Sequence, residues 1–161
     1  FLRVIAKVSA VRNDVEFFLY GEGECADDYK QLATDLGLNK ILHFMGKDPV
    51  LSIMKETDVF VSTSRYEGWP NAIMEAMAFG CPIVATNIGG TNELIEHERT
   101  GLLAERDNVD DIVTKVVRLL DDPKYGELLG REARQVIAQR FSVSKVIKDL
   151  ESVYEELLQH A

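Results

Sequence analysis

Cysteine, histidine, proline and tryptophan are all scarce in this chain: two Cys, three His, four Pro and one Trp among 161 residues. Cys25 and Cys81 do not have the paired spacing of metal-binding cysteines, and His43, His97 and His160 lie in unrelated contexts. A zinc centre and a disulfide framework are thereby excluded, and reduced thiols in a cytoplasmic protein are expected. No metal ion and no other cofactor is expected. No apolar run approaches the roughly 20 residues of a membrane helix, and nothing at the start reads as a signal peptide. The formal charge of −9 is spread along the chain, without a basic run dense enough to follow a phosphate backbone, so nucleic acid is not an expected partner. Internal repeats, linkers and low-complexity tracts are also missing.

What is present is enough apolar residue, 46%, for one large core, so residues 1–161 read as a single domain. Phe1 to Val8 is already helix-like but has no capping Ser, Thr, Asp or Asn before it, so the chain is expected to begin inside an element, with a first strand missing ahead of it. Short apolar runs at 15–20, 41–44, 59–62, 82–86 and 101–103 read as strands. Helical spacing over 1–11, 25–36, 49–55, 70–79 and 91–96 separates them, with Gly21, Gly37, Gly46 and Gly80 as stops. Nearly continuous apolar strands alternating with helices predict an α/β, doubly wound parallel sheet of the Rossmann type. From about residue 108 only helical periodicity remains. Asn108 and Ser142 are expected N-caps, Asp122-Pro123 breaks the run, and Val146, Leu150, Val153, Tyr154 and Leu157 form a stripe expected to pack in the core.

In an open α/β sheet ligands bind beyond the carboxyl ends of the strands. Three loops there open helices: Gly21-Glu22-Gly23, Ser62–Asn71 and Asn87–Asn92. A helix start offers free N–H groups and a partial positive charge to an anion. In the middle loop Glu67 precedes Gly68, Trp69, Pro70 and Asn71, and Glu75 follows about one turn into the helix, slightly deeper than Glu67. Two carboxylates so placed suit hydrogen bonds from two separate hydroxyl groups. They also suit a solvated Glu67 and a Glu75 that merely interacts with the helix dipole.

The run from Tyr66 through Glu67-Gly68-Trp69-Pro70-Asn71-Ala72-Ile73-Met74-Glu75 to Gly89-Gly90 closely resembles the E-x7-E signature of the retaining GT-B glycosyltransferases of family 4. The likeness continues through Asn92-Glu93-Leu94-Ile95 and Thr100-Gly101-Leu102-Leu103, and more weakly back to Tyr20-Gly21-Glu22-Gly23 and Leu42-His43-Phe44-Met45-Gly46.

The resemblance implies that Glu67, the expected catalytic residue, lies against the donor sugar and that Glu75 binds the ribose hydroxyls. Amides around Gly68, Trp69, Asn71 and Ala72 would hold the diphosphate, to which Pro70 can contribute no N–H. Gly46 and Lys47 would lie near the base, although Lys47 also reads as a surface lysine. Gly21 and Gly23 would line the same crevice. Trp69, where the family often carries Phe, would shape the donor pocket. Gly89 and Gly90 read either as structural glycines or as a second backbone approach to the donor, Glu93 as a helix-start acid, and His43 as a packed strand histidine.

The implied partners are a nucleotide diphosphate sugar, an acceptor, and the N-terminal GT-B domain of a parent chain, through which alone a membrane would be reached. That domain and a basic pair just after the missing strand would complete catalysis, so the polypeptide alone is expected to be inactive. A GT-B epimerase or phosphorylase is the alternative among enzymes, and a non-catalytic nucleotide-binding α/β module or a degenerate transferase domain the alternative outside them.

Overall fold

Leu2, Val4, Ile5 and Val8 share one face of a helix, and their burial fixes α1 (Leu2–Ser9), while Arg3 and Lys7 remain outside. In this computed structural model residues 1–46 and 53–159 are described. The chain continues through β1 (Phe17–Tyr20), α2 (Ala26–Asp35), β2 (Leu42–Gly46), β3 (Phe60–Ser62), α3 (Asn71–Phe79), β4 (Ile83–Thr86), α4 (Thr91–Leu94) and β5 (Leu102–Ala104). Three further helices close it: α5 (Val109–Asp121), α6 (Pro123–Arg140) and α7 (Val143–Gln159). The helix expected at 49–55 lies largely outside the described residues; Ile53 and Met54 are helical.

All strand pairs are parallel, as the nearly continuous apolar runs predict. β4 is buried along its whole length, and its residues alternate between two cores. Val84 meets Val4, Val8, Leu102, Val116 and Leu119 on one face. Ile83 and Ala85 meet Ile73, Met77, Ala133 and Ile137 on the other. Helices α1 and α5 thus cover one face and α3 and α6 the other, the doubly wound arrangement. Each fully buried aliphatic side chain in these layers contributes about 1.5–3 kcal/mol. Two ion pairs, Lys7 with Asp110 and Arg12 with Asp121, tie the first helix and its following turn to α5.

The packing of α6 on α3 depends on Gly130. A Cβ there would lie 2.0 Å from the Gly80 carbonyl oxygen, whereas a Cβ on Gly80 would meet the Gly130 carbonyl oxygen at an ordinary 3.5 Å. Gly80 itself sits at φ +76, ending α3 in the left-handed conformation.

Three expectations change. The parallel strands form two sheets, β1-β2 and β3-β4-β5. Between β1 and β3 lies a cleft of about 1220 Å³, lined by Val15 to Gly21 on one side and Val59 to Ser64 on the other. The stripe on α7 is not core: Val146, Leu150, Val153, Tyr154 and Leu157 are 51–62% exposed, because none of the other described elements covers that face. His43 is not packed inside; it lies on an exposed face of β2, stacked on Phe18 at 5.0 Å with Glu16 3.6 Å away.

Both expected caps form: Asn108 accepts from the Asp111 N–H at 3.0 Å and Ser142 from the Lys145 N–H at 3.4 Å. Asp122, expected only as a break, also caps α6, accepting from the Tyr125 N–H at 3.1 Å. Both cysteines are free, Cys25 exposed and Cys81 buried. Among the described residues no helix is long and apolar enough to cross a membrane.

Candidate functional site

The loop between β3 and α3 is built so that its backbone donors stay open. Pro70 stands before α3 without a side-chain cap, and the first turn of α3 carries no acidic residue. The Pro70 carbonyl accepts from the Ile73 and Met74 N–H groups at 3.0 and 3.2 Å, which starts the helix. The Asn71 N–H is taken by the Trp69 carbonyl at 3.0 Å, so it is not one of the open donors the resemblance implied. Among the described residues no acceptor takes the N–H groups of Gly68, Trp69 or Ala72. Open donors at a helix start favour an anion.

Glu67 is half-buried and lines the cleft between the two sheets, together with Ala72 and Gly21. The Ser64 hydroxyl donates to Glu67 Oε1 at 2.7 Å and orients the carboxylate. Glu75 stands elsewhere. Ile73, Ala76 and Met77 turn into the core, so the opposite face of α3 presents Asn71, Glu75 and Ala78 to an open surface groove, also lined by Met74, Ile137 and Phe141. Glu67 therefore lines the cleft between the sheets and Glu75 the open groove on the other side of α3. Glu75 is the more exposed, against the sequence expectation that it sits deeper.

Other loops hold this one in place. A Cβ on Gly90 would meet the carbonyl oxygens of Gly68 at 2.7 Å and Glu67 at 2.9 Å, and Gly90 has φ +79, whereas a Cβ on Gly89 would meet open space. The close approach that requires Gly90 is to the protein's own loop. The Thr86 hydroxyl donates to the Ser64 carbonyl at 2.5 Å, and Arg65 Nε pairs with Asp107 Oδ1 at 2.6 Å. These partners are 22 and 42 positions apart and leave no local signal in the sequence.

Gly21 at φ +125 and Gly46 at φ +61 meet across the ends of β1 and β2, where the Gly21 N–H donates to the Gly46 carbonyl at 2.8 Å. Gly23 is exposed, and its carbonyl accepts from the Ala26 N–H at 3.1 Å as α2 begins. Glu93 lies in the first turn of α4, where a helix-start acid belongs. Lys47 lies outside the described residues. Trp69 is 47% exposed and lies edge-on to Phe141, with ring centroids 5.4 Å apart. Among the described residues no three His, Cys, Asp or Glu side chains are grouped to hold a metal ion.

Residues 1–136 match the family described as glycosyl transferases group 1. The chain belongs to that family. It is 33% identical over 147 residues to the Escherichia coli UDP-Gal:alpha-D-GlcNAc-diphosphoundecaprenol alpha-1,3-galactosyltransferase, covering 90% of this chain and 38% of the relative. Likeness to the alpha-D-kanosaminyltransferase of Streptomyces kanamyceticus is 29% over 160 residues, covering 98% of this chain and 42% of that one. The chain thus spans about two-fifths of the length of these curated relatives.

Among solved structures, a point mutant of S. aureus TarM in complex with fondaparinux, alpha-GlcNAc-glycerol and UDP superposes with a TM-score of 0.90 at 27% identity, over 95% of this chain and 31% of that one. Anabaena HepE in complex with UDP-glucose gives 0.87 at 25% identity, over 96% and 44%. The α/β architecture expected from the sequence is the fold of these GT-B glycosyltransferases.

Proposed function

We propose that this group 1 glycosyltransferase chain is the donor-binding half of an enzyme that moves a glycosyl group from a nucleotide diphosphate sugar to an acceptor, with retention of configuration. The observation that carries the reading is the loop of Glu67 to Ala72: three open N–H groups at the start of α3, with a Ser64-oriented carboxylate on one side and Glu75 on the other. In this reading the Gly68, Trp69 and Ala72 amides hold the diphosphate and stabilise the negative charge that grows as it leaves, without requiring a metal. Glu67 contacts the sugar, and Glu75 accepts from the ribose hydroxyls. Gly21, Gly23, Gly46 and Lys47 are assigned to the base end of the crevice.

Calorimetric titration with UDP, GDP and ADP tests this directly, with UDP first because the two solved relatives hold UDP or UDP-glucose. Glu75→Ala should weaken nucleotide binding at least tenfold, while Glu67→Gln should spare UDP and weaken the UDP-sugar. Binding of none of the three nucleotides, by the chain and by a full-length parent, would refute the assignment.

We further infer that a parallel strand leading into α1 fills the cleft between β1 and β3. The support is that both strands turn unpaired edges to it and that Phe17, Val59 and Val61 line it. A right-handed crossover from such a strand through α1 places it beside β1. A chain extended at its N-terminus should protect the Phe18 and Val61 amides from hydrogen exchange, and unchanged protection would remove the strand. The acceptor site then belongs to a further N-terminal domain, and the present chain alone turns over no sugar. The same reading puts the protein in the cytoplasm, where two unpaired thiols stay reduced.

A further inference from the structure

The junction between α6 and α7 touches the candidate donor loop. Phe141 closes α6, its N–H donating to the Ile137 carbonyl at 3.0 Å, and α7 begins two residues later at Val143. The Phe141 ring packs on the core formed by α3, β4 and α6 and lines the groove that Glu75 faces. Its edge contact with Trp69, at 5.4 Å and 67° between planes, reaches across 72 positions of sequence to the residue that follows Gly68. The Arg140 guanidinium carbon lies 5.1 Å from the centroid of the same ring. One ring therefore meets both ends of the proposed site, the turn carrying the open amides and the groove beside the ribose carboxylate.

We propose that Phe141 is a positioning residue of the donor site. It holds Trp69, and with it the turn that presents the Gly68, Trp69 and Ala72 amides, in the geometry that accepts a nucleoside diphosphate. This rests on the donor-binding reading above. An edge-to-face aromatic pair contributes roughly 0.5–1.5 kcal/mol beyond its buried area, so losing the ring should weaken nucleotide binding by about two- to tenfold. The bland alternative is that Phe141 only fills the core, in which case its loss lowers stability and leaves affinity alone.

The experiment compares Phe141→Leu, which keeps apolar volume, Phe141→Tyr, which keeps the ring, and Val136→Ala, which opens the same core away from Trp69. Each is titrated with UDP and followed by the emission of Trp69, the single tryptophan of the chain. Phe141→Leu should shift that emission and weaken UDP binding several-fold, Phe141→Tyr should restore both, and Val136→Ala should lower the Tm without either change. UDP affinity equal to the parent in Phe141→Leu, or an equal loss in Val136→Ala, would overturn the positioning role while leaving the donor site standing. Failure of the unsubstituted chain to bind UDP, GDP or ADP would overturn both.

Discussion

Gly90→Ala probes the wall that shapes the candidate donor loop. Two costs can be read from the structure. The backbone at φ +79 disfavours any Cβ, at about 1–3 kcal/mol. The new methyl would also stand 2.7 Å from the Gly68 carbonyl and 2.9 Å from that of Glu67, both backbone atoms that a rotamer change cannot move aside. Overpacking of this kind costs about 1–3 kcal/mol. The sum, about 2–6 kcal/mol, has two outlets. If the loop stays where it is, the penalty appears as lost stability, and about 3 kcal/mol lowers the Tm by roughly 6–12 °C for a domain of this size. If the 67–68 turn gives way, the penalty appears instead as weaker UDP binding, tenfold for every 1.4 kcal/mol or so. Urea unfolding and UDP titration on the same variant measure both, and the two losses together should reach about 2 kcal/mol. Gly89→Ala, whose Cβ meets open space, should change each by less than about 0.5 kcal/mol. A Gly90→Ala chain with the parent's stability and affinity would refute the argument that this glycine is fixed by the loop behind Glu67.

Gly130→Ala should destabilise by more than about 2 kcal/mol in urea despite the helix propensity gained, because its methyl would stand 2.0 Å from the Gly80 carbonyl, whereas Gly126→Ala, facing the Pro82 ring at 3.2 Å, should cost far less. Burial pushes the Cys81 thiol up to about 11, and its S–H donates to the Met54 carbonyl, so a thiol reagent at pH 8 should titrate Cys25 promptly and Cys81 only as the chain unfolds. Hydrogen bonds from Arg12 lower Asp14 to about 2, and those from Arg118 and Lys115 lower Glu98 and Asp111. Folded-state values below the unfolded ones mean that this stabilisation is complete above the ordinary carboxylate range and is lost as pH falls through the folded values; Asp14→Asn should flatten the decline of Tm between about pH 4 and 2.

The strands and most helices were legible because their signals are local. Apolar runs ended by Gly21, Gly46 and Gly80 mark where chain direction changes, Asn108 and Ser142 announce their helices by supplying caps, and Asp122-Pro123 marks the break between α5 and α6. Periodicity also identified α7 as amphipathic, but a helical period reports only that a face is apolar, not that a partner covers it, and Val146 to Leu157 are exposed. Strand order has no local signal at all, so which strands would lie side by side, and that β1 and β3 would not pair, could not be read. At the candidate site, Glu67 and Glu75 were singled out by spacing and resemblance, but spacing along a loop and one helical turn does not say which side of α3 each faces. The supports from Thr86, Asp107, Gly90 and Phe141 lie far along the chain from the loop they hold, and only the fold brings them there.

A net charge of −9 weighs against the proposed diphosphate ligand, and the distribution of acids over the helix starts bears on that objection. Asp27 and Asp28 occupy the first turn of α2, Asp110 and Asp111 that of α5, and the side chain of Asp122 caps α6. Each of those carboxylates occupies the positive end of its helix and would repel a phosphate there. Among the described helices that follow a strand and run eight residues or more, α3 alone has neither an acid in its first turn nor a side-chain cap. Its donors are kept open by Pro70, which offers neither an N–H nor a capping group, while Glu67 and Glu75 stand one step outside the turn on opposite sides. Among the described helices that follow a strand, the uncapped start free of acids is that of α3, and the carboxylates at the starts of α2 and α5 disfavour a phosphate there. Adding one carboxylate inside the first turn of α3, as Ala72→Asp does, should abolish UDP binding while leaving the helix at least as stable, a separation of affinity from stability that a role for α3 confined to packing does not produce.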